Sequence, residues 1–366
     1  MPTALLTGAT GLIGGELCRL LVAQRWGVVA LVRGDAPILG NDGVAVPSGA
    51  YAGKPPNPGE ALRLIGDIGL PSCGLDLQTR SLLDQQINIV IHCAASTAFN
   101  ATDDHYQQVN VSGTAHLLAL GRQAPFLHVS TAYVCGTRNG VIAESGCPPE
   151  TRFANGYERS KAKAERLIER SGRPWLIARP SIVVGAAADG RIRRFDSIYG
   201  AFKLLAEGRA KTIPATTDAS FNFVPVDYVA AALASLASSS ENFTGQFVHI
   251  CARQSMAVVD FLDTIATFPA LFAPKIVPPD SFNSANLGHT EKKLFDRWLT
   301  HYVPYFQRNP LFAIGNAEAL TGLPSPIIDQ NALRQMIGFA VNQGFIRPTA
   351  HPDNDRPAAR ARQAPT

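Results

Sequence analysis

The chain opens on ALLTGATGLIGGELCRLL, and no other stretch limits its fold so tightly. A short apolar run at residues 4–6 enters a turn holding Gly8, Gly11 and Gly14. Ile13, Leu17, Leu20 and Leu21 then recur at helical spacing. Glycine is needed where a chain turns tightly, where backbone comes close to a pyrophosphate, and where a helix packs hard on a strand. A strand that turns in this way into a helix aims free N–H groups and the positive helix end at one point, which suits phosphate. Glycine trios are common alone, but strand before and amphipathic helix after supply the context of dinucleotide binding.

Apolar runs then alternate with helix-period stretches through the first half, at residues 28–32, 87–92, 126–130 and 175–178. The alternation predicts an α/β fold, a doubly wound parallel Rossmann sheet with helices on both faces. Residues 36–60, rich in Pro, Gly and Asn, read as a long loop. Past Arg179-Pro180 come helical stretches around 195–207 and 227–239, a strand at 246–251, and an aromatic-rich helical stretch from about 291 to 345. Residues 1–180 are therefore expected to form the cofactor-binding sheet domain, with strands and helices returning to it at about 220–252. A smaller, mostly helical substrate-binding region spans 181–346, interleaved with the first. Residues 347–366, mostly Pro, Ala, Arg and Asp, read as a disordered tail.

Composition excludes several classes. With 46% hydrophobic and 17% charged residues the chain has the make-up of a globular protein. A net charge of +4 is small for 366 residues and no Lys/Arg-rich block occurs, so a nucleic-acid partner has no support. The six cysteines are scattered without a CxxC pair and read as reduced thiols, so neither a disulfide framework nor a metal site is expected. No cleavable leader pattern opens the chain and no apolar run is long enough to cross a bilayer, which makes the expected location cytoplasmic.

The second apolar run ends in VVALVRGD, and the residues after it bear on the cofactor. An NADH site usually presents an acid there to the ribose hydroxyls, whereas a guanidinium suits the 2′-phosphate of NADPH. Arg33 comes first and Asp35 two residues later, so NADPH is favoured while Asp35 keeps NADH open. The plain alternative for Arg33 is a solvated loop arginine.

Farther on, NGYERSKAKAERL sets Tyr157 and Lys161 one helical turn apart on the same face. A phenol titrates near pH ~10, and an ammonium beside it is expected to lower that value. Such a pair suits proton transfer at a carbonyl beside a nicotinamide. Alone, the spacing arises often by chance. Upstream, FLHVSTAYVCG ends a strand in Ser130-Thr131, hydroxyls that a parallel sheet places beside the cofactor crevice.

Together these stretches resemble the extended short-chain dehydrogenase/reductase family over roughly residues 3–250. TGxxGxxG and YxxxK carry the resemblance, and GDI, HCAA, VNVSGT, RPSIVVG and NFVPVDYVA are similar to the segments that accompany them. Aligned to the family pattern, Thr131 rather than Ser130 stands at the catalytic hydroxyl, with Tyr157 and Lys161 as the working pair. The resemblance implies cofactor contacts from Thr7, Gly8, Thr10, Gly11, Leu12, Ile13 and Gly14 in the turn, with Arg33 after the second strand. It implies Asp67 and Ile68 at the adenine and Cys93, Ala94 and Ala95 at the next strand end. Asn110, Tyr157, Lys161, Pro180, Ser181 and Val183 complete the set.

Within the family, LIGDIGLPSCGL, HCAASTAFN and HVSTAYVCG resemble the thioester reductase and fatty acyl-CoA reductase branch. The later RWLTHYVPYFQRNPLFAIGN and LRQMIGFAVNQGFI are similar to its helical cap. That branch implies hydride transfer from NADPH to an acyl thioester, on coenzyme A or a carrier protein, giving the aldehyde and allowing further reduction to the alcohol. Thr131 and Tyr157 would steady the oxyanion, Tyr157 would supply the proton, and Lys161 would hold the ribose hydroxyls and tune the phenol. Ser130-Thr131-Ala132 lacks the extra acid of the family's dehydratases, which disfavours elimination. An alcohol or 3-hydroxy dehydrogenase and a sugar-nucleotide epimerase are alternatives with the same site. A cofactor-sensing regulator is the alternative outside enzymes, and an intact Thr-Tyr-Lys set argues against it. Arg191, Arg193, Arg194, Lys203, Arg209 and Lys211 read either as a basic rim for coenzyme A phosphates or an acidic carrier, or as a solvated face. Trp298, Tyr302, Tyr305, Phe306 and Phe312 read more readily as core than as an acyl tunnel. Extended family members are often homodimers, and the residues here leave that open.

Overall fold

The computed structural model describes residues 2–98, 101–196 and 198–347. Its main sheet has eight strands, beginning with β1 (Thr3–Thr7), β2 (Gly27–Val32), β3 (Ser48–Ala50) and β4 (Ala61–Ile65). It continues with β5 (Ile89–His92), β6 (Phe126–Val129), β7 (Trp175–Pro180) and β8 (Gln246–Ile250). The spatial order is β8-β7-β6-β5-β1-β2-β4-β3, with every neighbouring pair parallel. The chain moves outward from β1 through β2, returns to β5 on the other side of β1, and moves outward again. That reversal between β1 and β5 is the switch point of a doubly wound sheet, where the carboxyl ends of the strands open a crevice.

Both faces of the sheet are covered, which is why β1, β2, β5 and β6 are buried at every position and read as unbroken apolar runs. The covering helices are α1 (Leu12–Ala23), α2 (Leu77–Gln86), α3 and α4 (Gly156–Glu169). α3 is one helix in three stretches, Asp103–Tyr106, a π-helical Gln107–Ser112 and Gly113–Leu118. Two more follow, α5 (Ile198–Ala206) and α6 (Val226–Ser238). On one face Leu17 and Leu21 of α1 share a core with Val229 and Leu233 of α6 and with Leu6 and Ile91 of the sheet. On the other, Leu83, Leu117 and Ile168 from α2, α3 and α4 pack with Leu5, Val90 and Phe126.

The rest of the chain adds α7 (Val258–Ala266), α8 (His289–Arg297), α9 (Gly315–Thr321) and α10 (Gln330–Asn342). A third core joins Phe202 of α5, Phe221, Phe261 of α7, Phe306 and Met336 of α10. A short strand, Pro310–Phe312, pairs in parallel with Gly140–Ile142 and so ties this region to the segment between β6 and α4.

Two details differ from the sequence reading. The loop at 36–60 contributes the edge strand β3. The stretch 291–345 is not one helical run, because Pro304, Pro310, Pro324 and Pro326 break it into 3₁₀ turns, a strand and short helices. Of its aromatics, Tyr305, Phe306 and Phe312 are buried in the third core, while Trp298 is 42% exposed. Residues 348–366, most of the expected tail, lie outside the described residues. All six cysteines are unpaired thiols. Among the described residues no helix is long and apolar enough to cross a membrane, and no cluster of His, Cys, Asp and Glu could hold a metal.

Candidate active site

The glycine turn sits at the switch point. Gly8 has a φ of 75°, and a Cβ there would lie 2.7 Å from the Ala94 nitrogen. A Cβ on Gly14 would come within 2.2 Å of the Gly8 carbonyl oxygen, so neither position tolerates a side chain. Gly11 starts α1 without a side-chain cap, leaving its first-turn N–H groups for another acceptor. Thr10, Leu12 and Ile13 lie half-buried around that opening. Thr7 Oγ1 stands 2.8 Å from His92 Nδ1 and accepts from Ala94 N at 3.2 Å, which draws Cys93, Ala94 and Ala95 to the turn. A cradle that any Cβ would fill, facing an uncapped helix start, fits a dinucleotide pyrophosphate.

The other expected cofactor residues differ in their surroundings. Arg33 is exposed just past β2, with no ion pair among the described residues. Asp35 is exposed too; Arg63 Nη1 donates to its backbone carbonyl at 3.1 Å and lies 4.0 Å from its carboxylate. Asp67 accepts from Gly69 N at 2.8 Å, and Ile68 is buried against Gly113. Pro180 ends β7, Ser181 is buried with no partner for its hydroxyl, and Val183 is half-buried in the short strand Ile182–Val184.

Beyond Val129 the chain continues past the end of β6 as Ser130 and Thr131. Thr131 Oγ1 accepts from Tyr133 N at 3.3 Å, while Ser130 Oγ is buried with no partner. α4 starts at Asn155, whose side chain accepts from Glu158 N at 2.9 Å. Tyr157 follows in the first turn, half-buried, and Lys161 one turn later is fully buried. Asn110, in the π-helical stretch of α3, donates to Ser160 Oγ at 2.8 Å and accepts from Ser96 N at 2.7 Å, bracing α4 from behind.

Lys161 Nζ donates to the Val129 carbonyl at 2.8 Å and stands 3.0 Å from His128 Nε2. Burial pulls the ammonium down to about 8, against opposing pulls from Glu165 and Cys93. Burial and the Lys161 charge hold His92 down to about 3 and His128 well below its usual range, so both imidazoles are neutral. Burial likewise pushes the Cys93 thiol up to about 12. The sequence expectation of a lowered phenol is corrected here. Lys161 directs its ammonium to β6, and burial pushes Tyr157 up, with Glu158 and Tyr106 adding to it. The phenol therefore holds its proton and suits the role of an acid.

Two features escaped the sequence reading. Beside Tyr157, buried Glu158 accepts from Arg308 Nη2 at 2.7 Å and from the Tyr305 hydroxyl at 2.9 Å. Arg308 also donates to the Gly136 carbonyl at 2.8 Å and stacks on the rings of Tyr133 and Tyr305. The C-terminal region thereby grips the start of the helix that carries Tyr157. His128 is the other, and no local spacing connects either partner to α4. Most of the basic stretch pairs with local acids, Arg191 with Asp189, Arg194 with Asp196, and Lys203 and Arg209 with the buried Glu207.

Comparison with known proteins agrees with this geometry. Residues 6–233 match the NAD-binding family model described as Male sterility protein. A stretch of 269 residues is 31% identical to hybrid PKS-NRPS synthetase LUC5 of a Fusarium species, covering 69% of this chain and 6% of that protein. Fatty acyl-CoA reductase 1 of Homo sapiens is 29% identical over 268 residues, 62% of this chain and 52% of the reductase. The chain thus spans about half the length of the reductase and a small part of the synthetase. Among solved structures, the terminal R domain from the myxalamid PKS-NRPS pathway matches at a TM-score of 0.77 and 24% identity, over 95% of this chain and 92% of that one. MoeE5 in complex with UDP-glucose and NAD shares the fold at a TM-score of 0.65 and 20% identity, over 94% and 99%. A family model matched along well over half the chain, on a sheet wound about this glycine turn, places the chain among the extended short-chain dehydrogenase/reductases, a family of NAD(P)-dependent oxidoreductases, in the branch of male-sterility proteins and thioester reductases.

Proposed function

We propose that this chain reduces an acyl thioester, R–CO–SR′ + NADPH + H⁺ giving R–CHO + HSR′ + NADP⁺, with the acyl group on coenzyme A or a carrier protein. The observation that carries the reading is the buried Lys161, one turn after Tyr157 on α4, whose ammonium bonds the Val129 carbonyl at the end of β6, two residues before Thr131. Likeness to a synthetase, an R domain and a fatty acyl-CoA reductase supports the thioester as substrate. When bound, the nicotinamide supplies the hydride. Thr131 and Tyr157 are assigned to the carbonyl oxygen, as donors whose bonds strengthen while charge grows there. Tyr157 keeps its proton until that oxygen takes it. Lys161 is assigned to the ribose hydroxyls, with Asn110 bracing its helix. Arg33, exposed and without an ion pair among the described residues, favours NADPH over NADH. Asp67 and Ile68 are assigned to the adenine, and Cys93, Ala94, Ala95, Pro180, Ser181 and Val183 to the remaining contacts. The sheet domain would serve the cofactor and the C-terminal region the acyl chain, in a cytoplasmic protein.

The test is NADPH absorbance followed with a long acyl-CoA, a short acyl-CoA, a free aldehyde and a nucleotide sugar. Oxidation with a thioester, accompanied by thiol release, is the expected result. Oxidation by the aldehyde alone would move the protein to the alcohol dehydrogenases. Conversion of the sugar without net oxidation would make it an epimerase.

A further inference from the structure

One member of the basic stretch behaves unlike the others. Arg193 has no carboxylate at ion-pair distance among the described residues, although Arg191 and Arg194 on either side each have one. Its Nη2 donates to the Gly11 carbonyl at 2.8 Å and to the Thr10 carbonyl at 3.3 Å, directly on the glycine turn. Its Nε is buried with no partner. Burial and the neighbouring Arg194 hold this guanidinium below the usual arginine range, against a weaker pull from Asp196. A half-buried cation held without an anion is costly unless something negative arrives.

The segment around it is held on two sides. Arg193 N donates to Asn41 Oδ1 at 3.1 Å, Asn41 Nδ2 donates to the Arg191 carbonyl at 2.9 Å, and Asn41 N donates to Glu16 of α1 at 2.7 Å. Behind it, Gly190 packs so closely on α10 that a Cβ would lie 2.6 Å from the Met336 Cα. Residues 190–193 thus form a strap between the substrate-side helices and the turn, and the guanidinium fork is placed with little freedom. We infer that Arg193 is a cofactor-binding residue supplied from the substrate side, clamping the pyrophosphate against the start of α1. A planar fork matches two phosphate oxygens at once. The pyrophosphate is favoured over the 2′-phosphate because Arg193 lies on Thr10 and Gly11, whereas the 2′-phosphate belongs past the end of β2 near Arg33. The inference rests on the dinucleotide reading of the glycine turn.

Calorimetric titration of NADPH and NADH into the full chain, Arg193→Met and Arg193→Lys tests it. Both dinucleotides share the pyrophosphate, so Arg193→Met should weaken both by one common factor, ~10–100-fold. Arg193→Lys, which keeps charge without the fork, should weaken both severalfold and stands in if the methionine variant fails to fold. Hydrogen exchange gives an independent readout: NADPH should slow exchange across residues 190–193 in the native chain and much less in the variants. Unchanged affinity for both nucleotides would overturn the inference, as would a loss confined to NADPH, which would assign Arg193 to the 2′-phosphate. If the native chain binds neither dinucleotide, it is the reading of the turn that fails.

Discussion

At the scale of single residues, the role proposed for Lys161 needs a charge in a place that resists charge. Its ammonium lies fully buried against His128 and Val129, and it discharges at about 8. The charged form suits ribose hydroxyls, so its contribution is present below that pH and lost as pH rises through it. The Kd for NADPH should accordingly weaken above pH 8, and a Lys161→Met variant should show a flat profile; a native profile equally flat would refute the assignment. Tyr157→Phe should lower turnover by ~10²–10⁴-fold while NADPH still binds, read by stopped-flow and titration. Tyr157, Lys161 and Thr131 could be proposed from sequence because their motifs are local. Their partners could not. His128 lies 33 residues from Lys161 and Arg308 150 residues from Glu158, and only the folded chain brings them together.

At the scale of elements, two contacts carry the site. The first is the turn, where a side chain on Gly14 would strike the Gly8 carbonyl. Gly14→Ala should reduce NADPH affinity at least ~10-fold, because the turn must open to admit the methyl group. The second is the Glu158–Arg308 pair at the start of α4, buried on both sides. Removing Arg308 alone strands a buried carboxylate, at ~3–5 kcal/mol. Urea denaturation of Arg308→Met should show that loss, and the double variant Glu158→Gln/Arg308→Met should recover part of it. Strands β1, β2, β5, β6 and β7 were readable as apolar runs. β4 was not, because Arg63 interrupts ALRLI, and β3 was not, because Ser-Gly-Ala carries no strand-forming side chain. The C-terminal region misled for a different reason: its apolar spacing is helical, but its prolines forbid a continuous helix.

At the scale of the whole molecule, the sheet and the C-terminal region share the buried pair, the strand pairing of Pro310–Phe312 with Gly140–Ile142, and a common core. They should melt together, and calorimetry should record one transition, raised by NADPH through ~2.7 kcal/mol at a hundred times its Kd. Two transitions, only one of them moved by nucleotide, would show the halves to be independent. The grip of Arg308 on Glu158 also has a meaning in time. A ribosome delivers the sheet, the glycine turn and α4 long before it delivers residue 308, so through most of synthesis Glu158 waits beside Tyr157 without its counter-charge. Until residue 308 emerges the start of α4 lacks the partner that holds it, and arrested chains ending short of Arg308 should bind NADPH far more weakly than the full chain.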